Sequence, residues 1–209
     1  MTTPLLDLGQ PSLWLAAGNI IFNPVFWNIA ARSEYRNKVL TKLAGGNAYY
    51  GCYCLAITIF LLGIGRDYLY HQALTAQPTY PLLQHAGFQV LAALLFVVGN
   101  TLVLSSMWAL GVTGTYLGDY FGVLMDERVT SFPFNVCENP MYIGSTFSFL
   151  ATALWYGKPA GLALTALVYL CYKVALQYEE PFTAQIYAKR DQEKKAAGPR
   201  TRSRAKKEL

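Results

Sequence analysis

The chain has 209 residues, a length that suits one domain. Hydrophobic residues make up 54% of it and charged residues 14%, against roughly 25% charged in soluble domains, and the apolar residues fall in long uncharged runs. This excludes a soluble globular enzyme and predicts an all-α polytopic membrane protein; the net charge of +5 is an excess concentrated after Lys189, and no nucleic-acid partner is expected.

The N-terminus, MTTPLLDLGQP, has no basic n-region and no small-residue cleavage site follows, so a removable signal peptide is not expected. Segment one, Pro11 to Ala31, is uncharged but interrupted by Asn19, Asn23, Pro24 and Asn28. It is long enough to cross, and a re-entrant or interfacial placement is the alternative. Segment two, Asn47 to Gly65, is a span. A polar loop, Arg66 to about Leu83, follows it. Segment three, about Ala86 to Leu110, has the strongest hydropathy. Met141–Tyr156 and Ala160–Tyr178 are two apolar runs joined by Gly157-Lys158-Pro159, a turn signal that predicts a C-terminal helical hairpin. Pro181 suits the first turn of a new helix, and PFTAQIYAKRDQEKKAA reads as an amphipathic helix on the cytosolic surface. The tail GPRTRSRAKKEL is expected to be disordered. The division is therefore a membrane-embedded domain over 1–187 and a basic cytosolic tail over 188–209.

Basic loops set the orientation. About five membrane helices put the 32–45 loop, the 114–144 stretch and the C-terminus in the cytosol, with the nearly uncharged 66–85 loop opposite; four helices are the alternative. The four cysteines, Cys52, Cys54, Cys137 and Cys171, form no zinc or disulfide pattern and read as small packing residues. No metal site is expected. Oligomeric state is not legible.

Chemistry concentrates in two places. From Gly114 to Gly144 the chain holds Asp119, Asp126, Glu127 and Glu138, its only acidic residues between Tyr68 and Trp155, among four glycines and three tyrosines. Aromatic, acidic and Gly-spaced, the stretch suits a site at a membrane surface for a cationic ligand. The plainer reading is a tight link in which Gly114, Gly118 and Gly122 let helices pack closely. The second place is Glu179-Glu180, at the exit of the hairpin whose other end carries Asn139 and Tyr142. A hairpin brings its ends together, and adjacent carboxylates disfavour each other's ionisation, so the pair suggests a cationic or hydroxyl-bearing partner. The plainer reading is a pair solvated at the membrane edge and screened by a snorkelling Lys173.

The strings SSMWALGVTGTYLGDYFG, MDERVTSFPFNV, NPMYIGST and YEEPFTAQIY resemble the short phospholipid N-methyltransferases, and the resemblance runs from FNPVFWNIAAR (22–32) to Tyr187. It implies S-adenosylmethionine as cofactor and a membrane phospholipid as substrate, with phosphatidyl-N-methylethanolamine carried through the dimethyl lipid to phosphatidylcholine; first-step methylation of phosphatidylethanolamine is the alternative. It implies the endoplasmic reticulum membrane, with a mitochondrial membrane also open. The family's cofactor motifs are a Gly-x-Gly and a Glu-Glu. The second maps onto Glu179 and Glu180. The first maps onto residues 97–99, making Val98 and Gly99 cofactor candidates, although Val97 departs from the pattern. The Asn-Pro-x-Tyr string is similar to a His-Pro-x-Tyr motif of isoprenylcysteine methyltransferases and membrane sterol reductases, and Asn139 in place of that histidine weighs against both activities.

Methyl transfer from a sulfonium to an amine needs a neutral amine, alignment and exclusion of water; alignment alone supplies up to about 7–11 kcal/mol. On this reading Glu179 and Glu180 hold the cofactor's ammonium or ribose hydroxyls, Tyr120 and Tyr142, with Tyr116, surround cationic charge, Asn139 stands at the site, and Asp119 orients or deprotonates the amine. His71 and His85 fall in the opposite loop and are excluded as the base. A nicotinamide-dependent membrane reductase and a helical scaffold or small transporter are the competing readings.

Overall fold

The computed structural model describes residues 4–127 and 129–196, and these carry no β-strand. Six helices follow one another: α1 Pro11–Asn37, α2 Val39–Leu43, α3 Ala48–Ala76, α4 Ala86–Thr115, α5 Pro140–Trp155 and α6 Pro159–Ala196, with 3-10 turns at Pro81–Gln84 and Gly118–Phe121. Four segments are long and apolar enough to cross a membrane: α1, α3, Ala86–Phe121 and α6. α5 has 16 residues, about 24 Å at 1.5 Å per residue, which is short of a hydrocarbon core of about 30 Å. Length and composition therefore carry four crossings, one fewer than the expected five.

α1 begins on Pro11, whose missing N–H is no loss in a first turn, and ends where Lys38 turns left-handed and donates its N–H to Glu34 O. The interruptions of segment one do not stop it: Pro24 lies inside the helix, and Asn28 Nδ2 donates to Pro24 O at 3.1 Å. Segment one is a continuous 27-residue helix. Its Leu13, Ala16 and Ile20 pack with Tyr70 and Leu74 of α3 and Leu164 and Val168 of α6.

α3 starts on Asn47, whose side chain accepts from the N–H groups of Tyr49 and Tyr50. It does not end at Gly65. Arg66 and Asp67, read from the sequence as a polar loop, are helical, because their charges are satisfied within the bundle: Arg66 pairs with Asp67 at 2.9 Å, donates to Tyr172 Oη at 2.7 Å and lies 4.8 Å over the Phe149 ring. The expected loop shrinks to 77–85. α4 likewise passes Leu110, breaks its helical dihedrals at Gly111 (φ 63°, ψ −176°) and ends at Thr115. α5 crosses α4 closely: a Cβ on Gly99 would stand 2.6 Å from Gly144 O, so only glycine admits this approach.

α6 corrects the separate interfacial helix. Pro181 starts no new helix but sits inside a 38-residue one. Proline removes one backbone donor, and the neighbouring Phe182 holds the segment in place, with Tyr120 stacked at 5.0 Å, Tyr35 edge-on at 5.0 Å and the Arg32 guanidinium 4.7 Å above. Residues 188–196, assigned to the tail, continue the helix; the remaining tail, with Lys206 and Lys207, lies outside the described residues.

The two ends of the bundle differ. At one, Lys158 Nζ donates to Gln77 O, Tyr80 N donates to Gly157 O, and Gln77 exchanges hydrogen bonds with the Asp7 backbone. At the other, α1, the Gly118–Phe121 turn, the start of α5 and the second half of α6 converge.

Candidate functional site

Glu179 is the hub of that second end. Its Oε1 accepts from Trp27 Nε1 at 2.6 Å and Asn28 Nδ2 at 2.8 Å, and its Oε2 accepts from Tyr142 Oη at 2.5 Å. One carboxylate thus ties α1, α5 and α6 together through three neutral donors. Glu180, pointing outward, accepts from Asn139 Nδ2 at 2.8 Å. One turn further along α6, Thr183 donates to Asp119 Oδ2 at 2.8 Å, while Asp119 Oδ1 accepts the Tyr120 N–H. The 3-10 turn aims Asp119 this way because Leu117 and Gly122 flank it in the left-handed region, folding the chain back after α4. A Cβ on Gly118 would meet Thr113 O at 2.6 Å, so the fold-back also needs that glycine.

Two polar atoms in this cluster are buried without a partner: Tyr120 Oη and Asn28 Oδ1. Tyr120 is 1% exposed and lies flat against Phe182. Buried polar atoms normally find partners; these two, beside three carboxylates, have none within the protein.

The charges follow the same pattern. Among the described residues the ion pairs are Arg66–Asp67 and Arg190–Asp191, and neither involves Asp119, Glu179 or Glu180. Arg32, the nearby cation, is turned to Tyr178 O at 2.9 Å and to the Phe182 face. The carboxylates are held by neutral donors alone, and none of the three has a cationic partner among the described residues. The stretch after the turn is fastened over α6, where Met125 N donates to Tyr187 Oη and Arg190 Nη1 donates to Met125 O.

Six of the residues singled out from the sequence come together here: Asp119, Tyr120, Asn139, Tyr142, Glu179 and Glu180. Val98 and Gly99 do not join them. Val98 is exposed on α4, and Gly99 is buried in the α4–α5 crossing against Gly144. Val97 is 64% exposed, so the departure from Gly-x-Gly puts no extra side chain into the core. Lys173 does not pair with the carboxylates. His71 lies edge-on to Tyr156 and His85 caps the start of α4, both at the opposite end. Sequence reasoning missed Trp27, Asn28, Arg32 and Thr183. Two signals were present: an asparagine next to a tryptophan inside an apolar run, and a threonine four residues after Glu179, hence on the same helical face.

Comparison with known proteins decides the family. A profile described as phospholipid methyltransferase matches residues 88–190, which include all six converging residues. Over 91% of its length the chain is 60% identical to the phosphatidyl-N-methylethanolamine N-methyltransferase of Saccharomyces cerevisiae, covering 92% of that protein. The chain belongs to the phospholipid methyltransferase family. A second fungal relative, the phosphatidyl-N-methylethanolamine N-methyltransferase of Neurospora crassa, is 59% identical over 92% of the chain and 91% of its own. The human phosphatidylethanolamine N-methyltransferase is 47% identical over 95% and 96%. No solved structure matches the chain. Membership sets aside the reductase and scaffold readings, since a phospholipid methyltransferase is an enzyme acting on a membrane lipid.

Proposed function

We propose that this phospholipid methyltransferase uses S-adenosylmethionine to methylate headgroup amines, carrying phosphatidyl-N-methylethanolamine through the dimethyl lipid to phosphatidylcholine. The observation that carries the reading is the convergence of Asp119, Glu179 and Glu180 at one membrane edge with no ion pair among the described residues. The names of the fungal relatives support the monomethyl substrate, and that of the human relative favours first-step methylation of phosphatidylethanolamine as a second activity.

The residues present fit the cofactor: uncompensated carboxylates suit a molecule bearing sulfonium and ammonium charge, and the unpartnered Tyr120 and Asn28 atoms suit its polar groups. When bound, S-adenosylmethionine supplies an electrophilic methyl group. Glu179 and Glu180 hold its cationic and hydroxyl groups by charge-assisted hydrogen bonds. Tyr120 offers its unpartnered hydroxyl, and Tyr142 and Asn139 orient the two carboxylates they already contact. Asp119, steadied by Thr183, accepts the proton of the substrate ammonium at a carboxylate oxygen, leaving the nitrogen lone pair free for in-line attack. The stretch fastened by Tyr187 and Arg190 excludes water. The site faces the cytosol of the endoplasmic reticulum membrane, from which a soluble cofactor reaches it.

Labelled S-adenosylmethionine, given to membranes carrying the protein with each of the three lipids separately, tests this. Transfer to the mono- and dimethyl lipids is expected, with slower transfer to phosphatidylethanolamine; label in none of them rejects the proposal.

A further inference from the structure

On its outer side, next to the carboxylate site, the bundle has a groove of about 300 Å³ between α5 and α6. Helical spacing builds it. Asn139, Tyr142, Ile143, Thr146 and Phe147 share one face of α5, and Tyr169, Tyr172, Lys173 and Leu176 share one face of α6. Its deeper wall is apolar (Ile143, Phe147) with the half-exposed Tyr169 opposite. Its upper part carries one cation, Lys173, and one anion, Glu138, and no ion pair joins them. Two side chains join this groove to the carboxylates: Tyr142, edge-on to Tyr172 at 4.8 Å, donates its hydroxyl to Glu179, and Asn139 donates to Glu180.

We propose that this groove seats the substrate glycerophospholipid, with an acyl chain along Ile143, Phe147 and Tyr169 and the phosphate on Lys173. The inference rests on the phospholipid reading above and names the subsite it leaves open. Charge complementarity selects the occupant. A zwitterionic headgroup brings a phosphate for Lys173 and an amine for the acidic side, whereas a plain hydrocarbon has no use for either charge. Depth agrees. Lys173 lies six residues before Glu179 on α6, about 9 Å along the axis, a gap that a four-carbon lysine stem and a two-carbon headgroup can bridge. A phosphate held there places an amine two carbons further on beside Tyr142, at the level of Glu179. Lys173 is then a positioning residue, acting on where the amine sits and not on the transfer itself.

The test uses full-length protein in mixed micelles with phosphatidyl-N-methylethanolamine carrying a diazirine on its acyl chain. After photolysis, adducts are expected on the peptides spanning 140–149 and 167–176. Lys173→Gln should lower that labelling and raise the lipid KM, each about tenfold, with cofactor affinity unchanged, and Lys173→Arg should restore both. A diacylglycerol bearing the same diazirine, which lacks the phosphate, should label the groove weakly and without regard to Lys173. Adducts spread evenly over the outer faces of α1, α3 and α4 overturn the proposal, as does equal labelling by the two probes or a Lys173→Gln protein with unchanged lipid KM. Failure of the enzymatic reading is distinguishable: wild-type protein that labels in the groove but transfers no methyl group keeps the subsite and rejects the reaction, and methyl transfer with evenly spread adducts does the reverse.

Discussion

Glu179 and Glu180 are neighbours in sequence with different surroundings. Glu179 is held by Trp27, Asn28 and Tyr142, whereas Glu180 meets Asn139 near solvent. Glu179→Gln keeps the shape, and its amide retains partners because the Tyr142 hydroxyl accepts as well as donates. What it loses is charge. A lost charge-assisted hydrogen bond is worth roughly 1.5–3 kcal/mol, or about ten- to a hundredfold in affinity. Glu179→Gln and Glu180→Gln are each expected to weaken S-adenosylmethionine binding in that range, with protein abundance and lipid affinity little changed. Normal cofactor affinity in both variants, measured by equilibrium binding, would move the cofactor off this pair. Asp119 has a different role in the proposal, so Asp119→Asn should lower kcat at least tenfold while leaving cofactor affinity within about threefold. Equal losses in binding and turnover would make it a cofactor ligand instead.

At the scale of elements, the α4–α5 crossing separates two explanations of Gly99. Its place in a Gly-x-Gly alignment suggests cofactor contact, yet a Cβ there would meet Gly144 O at 2.6 Å and Ser148 Oγ at 2.9 Å. Overpacking of this kind typically costs about 1–3 kcal/mol. Gly99→Ala and Gly144→Ala are both expected to lower the thermal midpoint in detergent, and to lower activity only in proportion to folded protein. Gly99→Ala that keeps its midpoint but loses cofactor affinity, with Gly144→Ala unaffected, would return Gly99 to the cofactor. α6 is the other element with two jobs. Its first half packs in the bundle through Leu164 and Val168, and its second half carries Glu179, Glu180 and Thr183 to the site. A helix unbroken at Pro181 fixes the spacing between those residues.

For the whole molecule the open quantity is the number of crossings, since α5 alone is too short by length. We expect α5 to cross nonetheless with local thinning of the bilayer, because Asn139 and Tyr142 at its start meet Glu180 and Glu179, while Gly157 just beyond its end meets Tyr80 at the opposite end of the bundle. Glycosylation tags inserted in the 77–85 loop should then be modified, and tags at residue 38 or the C-terminus should not; modification at 38 rejects the five-crossing arrangement.

Composition and run length were enough to determine that the chain is helical and membrane-embedded, because burial in lipid demands long uncharged runs and self-satisfied backbone. Local strings were enough to reveal the family and to bring four polar residues together, since Glu179, Glu180, Asn139 and Tyr142 flank a turn that must make them meet. Helix boundaries were not legible. Arg66 and Pro181 look like breakers in isolation, and only partners distant in the chain, Tyr172 and Phe149 for one and Tyr120, Tyr35 and Arg32 around the other, keep the helices whole. Trp27 and Asn28 joined the site for the same reason: more than a hundred residues separate them from Glu179, and the packing of α1 on α6 alone makes them its donors. A one-dimensional pattern states which side chains are polar; which of them share a carboxylate is set by the tertiary contacts that desolvate them together.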